Sequence, residues 1–310
     1  MVLVESYRRA FSEALLDVGS RNRDLVVLDA DTARSTGTLA FAKKYPERFI
    51  NIGISEQDLV DTAAGLAIAG KTPVAAAFSM FMLRAFEQIR NTVARDSLNV
   101  KLVGTHSGLS AVIDGASHQS LEDLAVYRAI PNMTVVSPAD AIATRILVSR
   151  AIEEHRGPLY MRLGRDNAFR VYDDSEDFRI GGFRVIRDGS DVMILSIGPM
   201  VWVSLQASEI LMAKGIDAGV VDVYTLKPLD RRGIVKVVSR TGLVVTVEEH
   251  NIIGGLGSAI AEVLAEEKPS KMLRIGVNDS FGSSARSYDE LLEFFGLTPK
   301  AVAKRILEVV

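Results

Sequence analysis

Two histidines and a carboxylate fall within one stretch rich in glycine and serine, GTHSGLSAVIDGASHQS, as His106, Asp114 and His118. The stretch follows a strand pattern and precedes a helix pattern, where open α/β sheets gather their ligands. The residue types point to a polar pocket carrying two imidazoles and a carboxylate. The bland alternative is a solvated loop with two surface histidines. The same side chains are metal ligands, but their scattered placement has no recognisable ligand spacing. A second carboxylate, Glu56, opens the helical pattern SEQDLVDTAAGLAIAG. Taken alone it complements the helix dipole. The small residues Ala63, Ala64, Gly65, Ala67, Ala69 and Gly70 would let another element approach that helix closely, within the domain or across a subunit interface. Phe78, Phe81 and Phe86 surround a strand end in AAFSMFMLRAFEQIR and, by composition, read as core aromatics. Gly254-Gly255-Leu256-Gly257 fits neither the dinucleotide fingerprint nor a Walker A loop, and reads as close helix–strand packing. The sequence contains no GxSxG or HExxH.

Elements must position these residues. Apolar runs rich in Val and Ile predict strands at 25–30, 49–52, 73–77, 100–104, 133–137 and 159–162, then at 192–197, 218–223, 243–247 and 273–277. Runs apolar nearly throughout are expected of strands covered on both faces. Helical patterns lie between them, so the expected fold is α/β with parallel sheets. Ser137-Pro138 predicts a helix start. Ser55-Glu56-Gln57-Asp58 and Ser120-Leu121-Glu122-Asp123 both resemble capping boxes. The acidic, aperiodic stretch VYDDSEDFR at 171–179, followed by Gly181-Gly182, marks a domain boundary, set at 174/175.

The 310 residues suffice for about two domains. With 36 basic and 39 acidic side chains and a net charge of −3, no polybasic tract for nucleic acid or anionic lipid stands out. The absence of cysteine excludes disulfides, thiolate zinc sites, Cys-ligated iron–sulfur clusters and thiol nucleophiles. The start MVLVESYRRA meets Glu5 too soon for a signal-peptide core. No window reaches the ~18 apolar residues of a membrane span. A cytoplasmic protein is expected.

Together the motifs resemble the carboxyl-terminal half of transketolase, a thiamine-diphosphate enzyme, essentially end to end. GISEQDLVDTAAGLA is similar to the segment whose glutamate touches the cofactor's aminopyrimidine, and FSMFMLRAFEQIRN to its aromatic segment. THSGLSAVIDGASHQSLEDLAVYRAIPNMTVVSPAD resembles the long substrate loop with the helix and strand after it. LGRDN resembles the segment with a phosphate-binding arginine. YTLKPLD, TVEEHNIIGGLGSAI and GVNDSFGSSARSYDELLEFFGL resemble the last domain.

The resemblance implies a pyrimidine-binding parallel-sheet domain over 1–174 and a transketolase carboxyl-terminal α/β domain over 175–310. It implies that Glu56 hydrogen-bonds the aminopyrimidine and so promotes deprotonation of the thiazolium carbon. Burial by a partner chain is expected to help that glutamate share a proton. Phe78 and Phe81 would pack on the pyrimidine ring, and Asp31 would lie near the cofactor. Arg8, Ser35, His106 and Arg165 would grip a sugar's terminal phosphate. Asp114 and His118 would read hydroxyls near the reacting carbon, His118 also serving catalysis. Two departures stand out: Arg84 replaces a frequent third aromatic, and Ala116 a frequent loop proline. The GDG…N motif that holds the diphosphate and a divalent metal (Mg or Ca) is absent. The chain thus resembles one subunit of a split transketolase, with those groups on an amino-terminal partner chain, two copies of each forming a heterotetramer, and no activity alone. The alternatives are a β-type subunit of another thiamine-diphosphate enzyme, such as a 2-oxoacid dehydrogenase or deoxyxylulose-phosphate synthase, and a non-catalytic scaffolding subunit.

Overall fold

A computed structural model describes residues 4–165 and 168–310. The strands are β1 (Val4–Glu5), β2 (Leu25–Asp29), β3 (Phe49–Asn51), β4 (Thr72–Phe78), β5 (Lys101–Thr105), β6 (Thr134–Val136), β7 (Leu159–Arg162), β8 (Ala168–Phe169), β9 (Arg184–Arg187), β10 (Val192–Ser196), β11 (Ala218–Asp222), β12 (Thr225–Lys227), β13 (Leu243–Asn251) and β14 (Met272–Val277). One sheet runs β12-β6-β7-β5-β4-β2-β3, a second β14-β13-β10-β11-β9, and β1 pairs with β8. Within the two large sheets every pairing is parallel except those of β12 with β6 and β9 with β11, both at sheet edges. The fold is α/β, as expected.

Alternation explains the continuous apolar runs. Along β2, Leu25 and Val27 enter one core while Val26 and Leu28 enter another; along β4, Val74 and Ala76 alternate with Ala75 and Ala77 in the same way. Each strand is therefore covered on both faces. The core containing Leu28 and Ala75 also takes Leu195, Val221 and Val244 from the second sheet, so one apolar cluster joins both halves of the chain.

The local signals were less faithful than the strand runs. Ser55 does precede the helix Glu56–Ile68, but its side chain makes no capping bond. The helix expected at Ser137-Pro138 begins instead at Ala141, where Asp140 is the N-cap and accepts from Ala143 N at 2.8 Å. Asp140 also holds Val171 N and Tyr172 N, so its carboxylate is anchored from both sides. The helix expected after Ser120 begins at Asp123, because Ser120 remains in a bridge to Ser107. Of the small residues, Ala63 and Ala64 are buried in the domain core, whereas Gly65 and Gly70 have open space where a side chain would stand. Phe86 is 41% exposed rather than a core aromatic. The Gly254–Gly257 turn is tight packing, as read: a Cβ on Gly255 would lie 2.1 Å from Glu248 Oε2.

Candidate active site

Most of the candidate residues sit at or just beyond the carboxyl ends of parallel strands in the seven-stranded sheet. Asp31 follows β2, Glu56 follows β3, Phe78 ends β4, His106 follows β5 and Arg165 follows β7. That rim is where strand ends leave a crevice and loops diverge.

An aromatic cluster forms first. Phe78 and Phe81 lie parallel, 5.3 Å between centroids and 5° between planes. The His106 ring stacks on Phe78 at 3.7 Å, and the His118 ring meets Phe81 edge-on at 5.1 Å. Stacked and edge-to-face geometries match the charge distribution of aromatic rings. His106 is buried and has φ +57°, a left-handed conformation uncommon for a bulky residue. Its Nδ1 lies 3.0 Å from Thr105 Oγ1, and His118 Nδ1 lies 2.9 Å from Ser117 Oγ. The surface-histidine alternative therefore fails for His106.

Beside this cluster is a groove of about 520 Å³ lined by Ile54, Glu56, Met80, Phe81, Leu83, Arg84 and Ser117. Glu56 is buried at the first turn of its helix, while Ile54 is 85% exposed. The wall is thus polar at Glu56, Arg84 and Ser117 and apolar at Ile54, Met80, Phe81 and Leu83.

A second group gathers a few residues away. Arg8 Nε donates to Arg165 O at 3.2 Å and Arg8 Nη1 to Ser35 O at 3.1 Å. Arg165 Nη1 lies 3.5 Å from Asp114 Oδ2, both side chains being over a third exposed. Such an ion pair is weak and easily exchanged for another anion. Asp166 and Asn167 of the LGRDN segment lie outside the described residues. Asp31 has φ +62° and exchanges bonds with Asn51: its N–H donates to Asn51 Oδ1 and Asn51 Nδ2 donates to Asp31 Oδ1, each at 3.0 Å. The structure thus brings Phe78, Phe81, His106 and His118 together, joins Arg8, Ser35, Arg165 and Asp114, and places Asp31 with Asn51.

Sequence reasoning overlooked the residues that hold this rim. Asp29 accepts from Thr32 N, Thr32 Oγ1, Thr36 Oγ1 and Thr38 Oγ1, fixing the turn that carries Ser35; burial raises its pKa against those bonds. Arg162 and Asp123 form an ion pair at 2.9 Å, 1% and 0% exposed. Glu248 accepts from Leu256 N and Gly257 N, closing that helix start with the chain's own carboxylate. Burial pushes Glu248 and Glu249 each up to about 7 and His250 down to about 4. A pair of strand-end carboxylates beside a histidine in TVEEHN was the available signal. Among the described residues no three His, Asp or Glu side chains cluster as a metal site, and no helix is long and apolar enough to cross a membrane.

Comparisons with known proteins agree with this architecture. The transketolase pyrimidine binding domain family matches residues 5–170 and the transketolase C-terminal domain family residues 181–302. The chain is 47% identical over 305 residues to a putative transketolase C-terminal section from Methanocaldococcus jannaschii, covering 97% of this chain and 95% of that protein. It is 39% identical to a 6-deoxy-6-sulfo-D-fructose transketolase subunit from Clostridium sp., covering 97% and 94%. A solved split gene transketolase, described as an inactive beta4 tetramer, superposes with a TM-score of 0.89 at 46% identity, covering 98% of this chain and 97% of that one. With both domains matched in order along nearly its whole length, the chain belongs to the transketolase family.

Proposed function

We propose that this chain is the pyrimidine-side subunit of a two-chain transketolase, moving a two-carbon ketol unit from a ketose phosphate to an aldose phosphate. The family generally uses thiamine diphosphate and a divalent metal. The observation that carries the reading is the half-built groove: a buried carboxylate, Glu56, beside a flat aromatic face, Phe81, with exposed Ile54 at its edge. These residues fit the aminopyrimidine half of the cofactor. Because the sequence lacks the GDG…N motif, diphosphate and metal are assigned to the amino-terminal partner chain, in a heterotetramer.

When bound, thiamine diphosphate supplies stabilisation of carbanion charge at its thiazolium carbon. Glu56 presents its carboxyl as the hydrogen-bond partner of a pyrimidine ring nitrogen. Phe81 offers a flat face to the ring without demanding hydrogen bonds, with buried Phe78 stacked parallel to it, and Asp31, bonded to Asn51, would lie near the cofactor. Arg165 and Arg8, with Ser35 and His106, bind a terminal phosphate; the guanidinium fork suits phosphate oxygens. Asp114 leaves Arg165 as phosphate arrives and turns to sugar hydroxyls, with His118 reading the same region and moving protons there. The working division of the chain is 1–174 and 175–310, and the setting is cytoplasmic pentose phosphate metabolism.

The test is to assay the purified chain alone and with its partner, using xylulose 5-phosphate with ribose 5-phosphate, and separately pyruvate. Transfer only in the mixture and only from ketose phosphate is expected; full activity of the lone chain, or pyruvate as the sole donor, overturns the proposal. Relatives named for 6-deoxy-6-sulfo-D-fructose and apulose 4-phosphate support a ketose donor while leaving the sugar to be determined. The second reading, a deoxyxylulose-phosphate synthase-like subunit, is favoured by 37% identity to such an enzyme from Trichormus variabilis. Cofactor binding without turnover of any donor would instead mark a scaffolding subunit.

A further inference from the structure

The loop carrying His106, Asp114 and His118 is not shaped by its own domain alone. It leaves β5 through two left-handed residues, His106 at φ +57° and Gly108 at φ +60°. Ser107 Oγ donates to Leu163 O at 2.8 Å and Gly108 N to Ser120 O at 2.9 Å, so the flanks of the turn are held locally. The next residue is held from far along the chain. Leu109 N donates to Glu249 Oε1 at 2.8 Å, across 140 residues of sequence, and Glu249 is 1% exposed on β13. A Cβ on Gly108 would stand 2.4 Å from Glu249 Oε2, so this carboxylate fills the space beside the turn. Further bonds tie the loop to the same half of the chain: Ala285 N to Val112 O, Gln119 Nε2 to Ser283 O and Asn251 N to Leu121 O.

Of the side chains in these contacts, Glu249 alone is ionisable. It faces the Arg162 guanidinium on β7, Asp123 at the start of the helix Asp123–Ala129, the Tyr288 hydroxyl on the helix Tyr288–Phe294, and Tyr7 on the helix Tyr7–Arg21. Glu248 and His250 flank it in sequence. Burial raises its pKa, opposed chiefly by Arg162 and the Leu109 bond, to about 7.

We propose that Glu249 is a positioning residue: its carboxylate fixes the His106–Leu109 turn from the other half of the chain, and its protonation slackens the loop's grip on the phosphorylated sugar. The proposal rests on the reading of that loop as the sugar-phosphate loop. A hydrogen bond to an ionised acceptor is roughly twice as strong as a neutral one. Adding a proton at Oε2 leaves Oε1 a weaker, neutral acceptor for Leu109 N. Grip is therefore strong above the carboxyl's pKa and declines as pH falls through it.

The experiment compares wild type, Glu249→Gln and Glu249→Ala in the assembled two-chain enzyme. Glutamine keeps an oxygen for Leu109 N but cannot titrate. Glu249→Ala is expected to raise KM for the phosphorylated sugars about tenfold or more, the usual effect of losing a hydrogen bond to a charged group, with kcat little changed. Glu249→Gln should recover most of that loss. Wild-type KM should climb as pH falls from about 8 to about 6, and the Glu249→Gln enzyme should climb less, keeping only the slope that the substrate's own phosphate contributes. Independently of activity, the Leu109 amide proton in the 15N-leucine-labelled full chain should shift with a midpoint near 7 and stop doing so in Glu249→Gln. A Leu109 signal that ignores pH, or a Glu249→Gln enzyme with the wild-type KM profile, overturns the proposal. An assembled enzyme with no ketol transfer refutes the proposed function instead, and the Leu109 titration then still decides whether Glu249 controls the turn.

Discussion

Replacing Asp123 by asparagine should cost the fold far more than any exposed ion pair. Arg162 Nε donates to both Asp123 oxygens, at 3.1 and 2.9 Å, and the Tyr160 hydroxyl donates to Oδ2 at 2.7 Å. Asparagine preserves the size and one oxygen, but it takes from the guanidinium the counter-charge it is bonded to in the core. Arg162 cannot escape by losing its proton. Burial pulls its pKa down, yet the charges of Asp123 and Glu249 outweigh burial and hold it above the ordinary value. Breaking a buried pair by removing one partner costs about 3–5 kcal/mol. That is a large share of a typical stability of about 5–15 kcal/mol. The double variant Asp123→Leu with Arg162→Met removes both charges and should regain most of the loss, since apolar replacements of buried pairs are often neutral. The assay is urea unfolding of the full chain, followed by far-UV circular dichroism and by the fluorescence of its one tryptophan, Trp202. Glu153→Gln, at the exposed Arg21–Glu153 pair, is the control, expected at about 0–1 kcal/mol. The reasoning fails if Asp123→Asn falls in the control's range, or if the double variant is as unstable as the single.

Three further outcomes are expected. Glu56→Ala should lower ketol transfer in the assembled enzyme by about a hundredfold or more, the usual scale for a proton-handling group, while leaving the thermal midpoint of the chain unchanged; activity close to wild type counts against the assignment. Phe81→Ala should weaken cofactor binding by titration calorimetry by roughly 0.5–1.5 kcal/mol beyond the lost contact area; unchanged affinity removes Phe81 from the ring's cover. His250, held at about 4 by burial against an ordinary 6.5, favours the fold fully above about 6.5, and that stability is lost as pH falls through about 4. The loss is on the order of 3 kcal/mol. Glu248 and Glu249, raised to about 7, act oppositely: their stability is present below about 4.5 and lost as pH rises through about 7. The difference between wild type and His250→Leu in urea midpoints across this range isolates the histidine, and parallel pH profiles contradict it.

The strands that sequence reading found and those it lost differ for a physical reason. A strand buried on both faces leaves a continuous apolar run, as in LVVLD of β2 or VMILS of β10, and such runs are visible. β9, RVIR, is half-buried, and β12, TLK, is only three residues long. Both pair antiparallel at sheet edges and carry no such run. The apolar run of β13 ends at Val247, and Glu248, Glu249 and His250 after it look solvated in sequence. Each is at most 1% exposed and partnered, so the strand continues to Asn251. Helix starts were misread where a serine competed with a better-placed carboxylate, as Ser137 did with Asp140.

Composition and periodicity by themselves determined the α/β class and the strand-end position of the candidate residues, because burial on two faces imprints directly on residue type. The order and spacing of the motifs carried the family resemblance, and that resemblance, not composition, singled out Glu56, Phe78, Phe81 and Arg165 beside the His106, Asp114 and His118 of the polar loop. Only the tertiary structure decided who meets whom. His106 stacks on Phe78, Asp114 turns to Arg165, and Glu249 reaches Leu109 across 140 residues. A charged side chain reads as solvent-facing in one dimension. Its burial depends on partners that arrive from distant segments, and no local pattern records their arrival.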